Sequence, residues 1–318
     1  MIKPNYLRIS VTPECNSSCI YCKPKEKTIS CSRDLLTAEE LEYLVNIFVS
    51  CGIDSVRLTG GEPLLRDDLI DITKKIATFN EIKDLSLTTN GILLRDFVFD
   101  LKKAGLKRLN VSLNSLNKET FYKITGLDLL ENVLSGIEIA SQLGFNPIKI
   151  NSVVLKNINE DEIFDLARLS INNPILVRFI EYSPLNKVMP SFDDLGIVND
   201  EVKNRLEKEF GKLSEDKNIK INGPAKYYKI KNSLGNIGFI SGFSQFFCSS
   251  CNRLRLTSSG KLLLCLYAKD YLDLKSLIRR NTKREVMKKN IEDFISRKYL
   301  YAKPVVEERE LEMSCVGG

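Results

Sequence analysis

The sequence contains no histidine, and it has no apolar run long enough to span a membrane. The first absence removes every mechanism that uses imidazole as base, nucleophile or metal ligand. The opening MIKPNYLRISVTPEC lacks a signal-peptide core, which predicts a cytoplasmic protein. No low-complexity segment is present, and no charge of one sign dominates. Lys and Arg number 47 against 41 Asp and Glu, a net charge of +6 spread along the chain. That balance suits a phosphorylated ligand as well as a nucleic acid and does not decide between them.

Cysteine, by contrast, is plentiful, with nine in 318 residues. In a reducing compartment disulfides are rare, so clustered thiols point to metal binding or catalysis. Soft thiolates favour iron-sulfur clusters or zinc. The length is enough for one large α/β barrel or two ordinary domains.

Hydrophobic periodicity gives strand-like runs at Tyr6 to Val11, Ser55 to Thr59, Asp84 to Thr89, Lys107 to Ser112, Pro147 to Leu155 and Ile175 to Glu181. Helical patterns alternate with them. The first has Leu41, Leu44, Val45 and Phe48 on one face, with Thr37 as N-cap and Glu40 placed for a capping box. Others span Asp67 to Thr78, Leu93 to Ala104, Leu129 to Leu143 and Asn159 to Ser170. Strands alternating with helices predict an α/β fold, a partial (β/α)6 TIM-type barrel over residues 1–183 with ligands at the C-terminal ends of its strands. Residues 184–318 read as an extension of short strands and helices. It has a charged helix at Asp200 to Phe210 and strands at Lys226 to Lys231 and Gly235 to Ile240. A hairpin from Arg253 to Leu264 and helices at Leu272 to Arg280 and Thr282 to Lys298 complete it.

Two cysteine sets stand out. Cys15, Cys19 and Cys22 follow the first strand at spacings that let one loop wrap three thiolates around a cubane. Three ligands for four irons leave one iron open to a chelating ligand. A closed zinc site with Cys31 as fourth ligand is the alternative. Cys248, Cys251 and Cys265 repeat the arrangement, with a zinc knuckle completed by Cys315 or Cys51 as the rival. Arg253 and Arg255 share one face of the strand between these cysteines. Two guanidinium groups beside an open iron make a receptor for a phosphorylated ligand.

The first set resembles the signature of the radical S-adenosylmethionine (SAM) superfamily, with Tyr21 at the aromatic position before the last cysteine. Gly60-Gly61-Glu62-Pro63 resembles the superfamily's loop after the second strand, where paired glycines let the backbone approach the methionine moiety. Ser112 matches a polar cofactor contact. The stretch Phe247 to Tyr267, the segment Arg178 to Tyr182 and the terminal Gly317 and Gly318 together resemble the GTP 3′,8-cyclase (MoaA) family of molybdenum cofactor biosynthesis.

That resemblance implies two 4Fe-4S clusters and S-adenosylmethionine. The first cluster would cleave S-adenosylmethionine, and the resulting radical would take the hydrogen from C3′ of GTP, whose C3′ then attacks C8. The second cluster would hold the purine. It further implies GTP contacts at Arg8, Arg57, Thr88, Lys149, Arg178, Arg253, Leu254 and Arg255, with Gly317 and Gly318 reaching the active site. Cofactor contacts are implied at Tyr21, Gly61, Glu62, Ser112 and Ser183. Ser183 stands where the family usually has methionine, and Asn114 where aspartate is common. The implied partners are cyclic pyranopterin monophosphate synthase (MoaC), which takes the product, and a flavodoxin or ferredoxin as electron donor. No nucleic acid or membrane is expected, and a homodimer is compatible. A peptide-modifying radical enzyme and a non-catalytic zinc-stabilised nucleotide- or RNA-binding protein are the competing readings.

Overall fold

A strict two-residue alternation along the first strands separates an apolar face from a polar one, and the architecture follows from burying both. The computed structural model describes residues 3–22, 34–184, 189–219, 223–245 and 247–300. Its strands are β1 (Tyr6–Ser10), β2 (Ser55–Thr59), β3 (Asp84–Thr89), β4 (Arg108–Ser112), β5 (Ile148–Val154) and β6 (Ile175–Glu181). Short strands follow: β7 (Ser214–Glu215), β8 (Lys226–Lys229), β9 (Asn236–Ile240), β10 (Arg253–Leu256), β11 (Lys261–Leu263) and β12 (Leu272–Asp273). The helices are α1 (Ala38–Ser50), α2 (Leu69–Ala77), α3 (Leu94–Lys103), α4 (Lys118–Thr125) and α5 (Leu130–Gln142). They continue with α6 (Ile163–Asn172), α7 (Phe192–Leu195), α8 (Asn199–Phe210), α9 (Leu274–Arg279) and α10 (Arg284–Ser296).

All twelve strands form one sheet in the order β12-β11-β10-β1-β2-β3-β4-β5-β6-β9-β8-β7. β1 to β6 are parallel neighbours, as the βα alternation predicts. The C-terminal strands extend this sheet at both edges, β10 pairing parallel with β1 and β9 parallel with β6. In a flat sheet β1 and β6 would lie about 24 Å apart. Tyr6 on β1 nevertheless acts electrostatically on Arg178 of β6, so the sheet curls to bring these residues face to face.

Leu7, Ile9, Val56, Leu58, Leu85, Leu87, Leu109, Val111, Ile148, Ile150, Val177 and Phe179 point outward. There they form one core with the helices' Leu41, Leu44, Phe48, Val98, Val133 and Leu166. Thr37 closes α1 with the expected capping box: its N–H donates to Glu40 Oε2 at 2.9 Å, and Glu40 N–H donates to Thr37 Oγ1 at 3.2 Å. No helix among the described residues is long and apolar enough to cross a membrane.

Several elements differ from the sequence expectation, among them the short α7 and β7, which it did not contain. α4 was not anticipated, although Asn117 caps its start and Gly126, at φ +77°, ends it in the left-handed region. α6 begins at Ile163, not Asn159, because the Asn159 side chain accepts from Leu155 N–H and donates to the Asn114 carbonyl. The run Leu272 to Arg280 splits into β12 and α9 at Asp273, whose side chain caps Ser276 N–H at 3.0 Å.

Candidate functional site

Cys15, Cys19 and Cys22 lie in the loop after β1, half-buried and in no disulfide. That loop is clamped by the ends of its neighbours. Ser18 N–H donates to Thr125 O at 2.9 Å and Ile20 N–H to Ile124 O at 3.0 Å, so the last turn of α4 is the loop's support. Ser17 Oγ donates to Thr125 O and lies 3.0 Å from Cys19 Sγ, and Ser17 N–H donates to Cys15 Sγ at 3.5 Å. Asn90 after β3 donates to Asn16, and Asn114 after β4 donates to the Tyr21 hydroxyl at 2.9 Å. Asn114 Oδ1 also accepts from Val153 N–H at 2.8 Å. The amide in place of an acid is what lets this residue donate to a phenol and accept from a backbone N–H together. Burial first, and then Cys19 and Cys22, push the Tyr21 phenol well above its ordinary range.

The Gly-Gly pair packs closely against the cysteine loop. A Cβ on Gly61 would lie 2.2 Å from Glu14 O, and one on Gly60 2.4 Å from Thr12 O. The two glycines therefore make room for the backbone of the cysteine loop, which they meet through Gly61 N–H to Thr12 O at 2.8 Å and Glu62 N–H to Glu14 O at 2.7 Å. Glu62 is fully buried, and it accepts from Thr89 Oγ1 at 2.7 Å, Asn90 N–H at 2.6 Å and Leu64 N–H at 3.1 Å. Burial pushes its carboxyl up to about 7 against those three hydrogen bonds. Through these bonds the carboxyl holds the β2 and β3 loops together. Gly61→Ala should cost about 1–3 kcal/mol by overpacking and lower iron retention by the first cysteine set. A melt together with an iron assay checks this, and unchanged values in both would refute the close-approach role.

The inner face of the sheet is polar and basic. In register across it stand Arg255, Arg8, Arg57 and Ser86, then Thr88, Asn110 and Lys149, then Asn151 and Arg178. Arg8, Arg57, Lys149, Arg178 and Arg255 are all less than 9 % exposed. Buried cations repel one another unless compensated. Lys149, wholly buried, is pushed down to about 4 by burial and then by Arg178, Arg108 and Arg57. Arg178 is lowered to about 10, chiefly by burial. Thr88 Oγ1, Lys149 Nζ, Asn151 Oδ1, Arg178 Nε and the Tyr6 hydroxyl are buried without a hydrogen-bond partner. Such orphaned groups on one surface describe a receptor for a polyanion. Tyr6, Arg108, Asn110 and Asn151 belong to this surface and escaped sequence reasoning, although the same alternation that selects Arg8 and Arg57 selects them. Arg108 is ion-paired to Asp84, and Asn110 Oδ1 accepts from Arg178 at 2.9 Å.

Cys248, Cys251 and Cys265 are also half-buried and in no disulfide. Burial raises the Cys251 thiol, but Arg253 and Lys298 outweigh it and leave the group below its ordinary value. Cys248 is raised by burial and by its two partner thiols. Tyr267 N–H donates to Cys265 Sγ at 3.5 Å, and the Tyr267 hydroxyl meets Ser183 Oγ at 2.8 Å. Ser183, at the end of β6, therefore joins the two halves of the site. Glu181 anchors the approach to the second set by accepting from Phe243 N–H, Ser244 N–H and Ser244 Oγ.

Among the described residues no three of Cys, Asp and Glu gather around a point as one bound ion requires. The fit to a metal group therefore rests on donor chemistry: three soft sulfur donors in each set, with N–H groups donating to sulfur. Cys51 joins neither set, being buried in the core beyond the end of α1. Ser112 ends β4, half-buried on the inner face. Alternation on β10 sends the Leu254 side chain into the apolar core and leaves its main chain beside Arg253 and Arg255. Cys31, Cys315, Gly317 and Gly318 lie outside the described residues.

Residues 9–170 match the radical SAM superfamily and residues 175–303 match Molybdenum Cofactor Synthesis C. A GTP 3′,8-cyclase of Desulforamulus reducens is 43% identical over 295 residues, covering 92% of this chain and 91% of that one. One from Alkaliphilus metalliredigens is 41% identical over 318 residues, covering 99% and 97%. Among solved structures, Streptococcus suis SuiB bound to its precursor peptide SuiA shares the fold at TM-score 0.61 and 16% identity, over 86% of this chain and 64% of SuiB.

Proposed function

We propose, from the premise that this chain belongs to the radical SAM superfamily and within it to the GTP 3′,8-cyclases, that it converts GTP to 3′,8-cyclo-7,8-dihydro-GTP, the first step of molybdenum cofactor biosynthesis. Residues 1–183 hold the radical source and residues 184–318 contribute the second cysteine set. Cys15, Cys19 and Cys22 would hold a 4Fe-4S cluster, which with bound S-adenosylmethionine would supply one-electron cleavage of the sulfonium.

The protein's own residues do the remaining work. Asn114, Asn90, Glu62 and the end of α4 fix the cysteine loop, so the thiols are presented from a rigid strand end. Arg8, Arg57, Lys149, Arg178 and Arg255 take the triphosphate from several sides, which orients the ribose toward the first cysteine set. Cys248, Cys251 and Cys265 would hold a second cluster that receives the purine, beside Arg253. Ser112 and Ser183 complete the cofactor contacts. The product passes to cyclic pyranopterin monophosphate synthase, with electrons from a flavodoxin or ferredoxin.

One observation carries this reading: a basic inner face on which Lys149 Nζ, Arg178 Nε and the Tyr6 and Thr88 hydroxyls are buried without a hydrogen-bond partner. A peptide substrate has no polyanion to satisfy it. Reduced protein incubated anaerobically with S-adenosylmethionine should form 5′-deoxyadenosine in proportion to added GTP. Formation indifferent to GTP would sink the proposal.

A further inference from the structure

Lys298, just beyond α10, is 8 % exposed. Its Nζ donates to Arg253 O at 2.7 Å and to Leu264 O at 2.6 Å. Arg253 lies two residues after Cys251, and Leu264 directly precedes Cys265. One ammonium thus ties together the two chain segments that carry two of the three thiols. It lies within hydrogen-bond reach of Cys251, and its charge interacts with Cys248, Cys251 and Cys265 and with another cation, Arg253. A buried ammonium needs a compensating anion, and the thiolates are what this pocket offers.

We infer that Lys298 is a positioning residue of the second cluster: it fixes the spacing of the Cys251 and Cys265 segments and sets its charge against their thiolates. This inference rests on the reading of Cys248, Cys251 and Cys265 as ligands of a second cluster. A fixed positive charge beside a cluster stabilises the reduced form, since reduction adds negative charge there. Removing it lowers the reduction potential. The cluster on Cys15, Cys19 and Cys22 is held by other elements and keeps its own.

The test is a redox titration of anaerobically reconstituted full-length protein, followed by electron paramagnetic resonance with iron and sulfide counted beforehand. In Lys298→Met the second cluster should shift toward the oxidised form by tenfold or more, about 59 mV for a one-electron couple, while the first cluster stays at its wild-type value. Lys298→Arg should restore most of the shift. Lys298→Gln keeps a donor for the carbonyls without the charge, so it should hold wild-type iron at the lowered potential, and it serves where Lys298→Met does not fold. A wild-type potential in Lys298→Gln, or equal shifts of both clusters, overturns the inference. Wild-type protein that assembles a single cluster overturns the second-cluster reading beneath it.

Discussion

Cys19→Ser is expected to abolish S-adenosylmethionine cleavage with or without GTP, whereas Cys251→Ser should still form 5′-deoxyadenosine while yielding no cyclised product. The contrast follows from what each loop is built on. Cys19 lies in a segment held by Thr125 O, Ile124 O and the Tyr21 to Asn114 bond, and nothing in that clamp involves the second set. A serine hydroxyl is a hard, weakly acidic ligand, so one substitution removes a third of the thiolates around the first site. Cys251 sits just before β10, which runs parallel to β1, so it lies at the opposite strand ends from the β1 loop, beside Arg253 and Lys298. Its loss removes a ligand for the substrate-holding group and leaves the β1 loop intact. Product analysis by chromatography, with iron counted in each variant, distinguishes the two. Equal loss of both activities in both variants would end the division of labour proposed for the two cysteine sets.

Much of this architecture was legible in the chain because period-two alternation and strand-helix alternation are local properties. β2, β3 and β6 begin and end where the pattern put them. Arg8, Arg57, Lys149 and Arg178 share an inner face because each is flanked by outward apolar residues. What stayed hidden depends on distance in sequence. That the Gly60-Gly61 pair packs on the backbone of Thr12 and Glu14, more than forty residues earlier, is one such feature. Lys298 looks like one more lysine at a helix end until Arg253 O and Leu264 O are found on either side of its ammonium. α4 is short and carries few apolar residues, so periodicity missed the helix on which the first cysteine loop rests. The same limit applies to Ser183. Read alone it is a lost thioether contact, whereas the fold spends its hydroxyl on Tyr267 beside the second cysteine set.

Lys149→Met should melt at a higher temperature than the wild type without nucleotide and bind GTP about 10- to 100-fold more weakly, the loss of one charge-assisted contact. Lys149 Nζ is buried with no hydrogen-bond partner, and burial followed by Arg178, Arg108 and Arg57 pushes it down to about 4. In the unfolded chain a lysine titrates near 10.4. Between about 4 and about 10, then, the unfolded state binds the extra proton, and the wild type gains stability as pH rises through that window. Methionine has no proton to lose and fills similar space, so the penalty and its pH dependence both disappear. A bound triphosphate reverses the balance by favouring the charged amine. GTP binding to the wild type at neutral pH should therefore take up close to one proton, and affinity should weaken as pH rises. Calorimetry in buffers of different ionisation enthalpy reads that proton directly, and Lys149→Met should show none at this site. A variant that melts below the wild type while matching its GTP affinity would remove Lys149 from the polyanion receptor. The opposite result would show stability surrendered at the site where the substrate's charge is met.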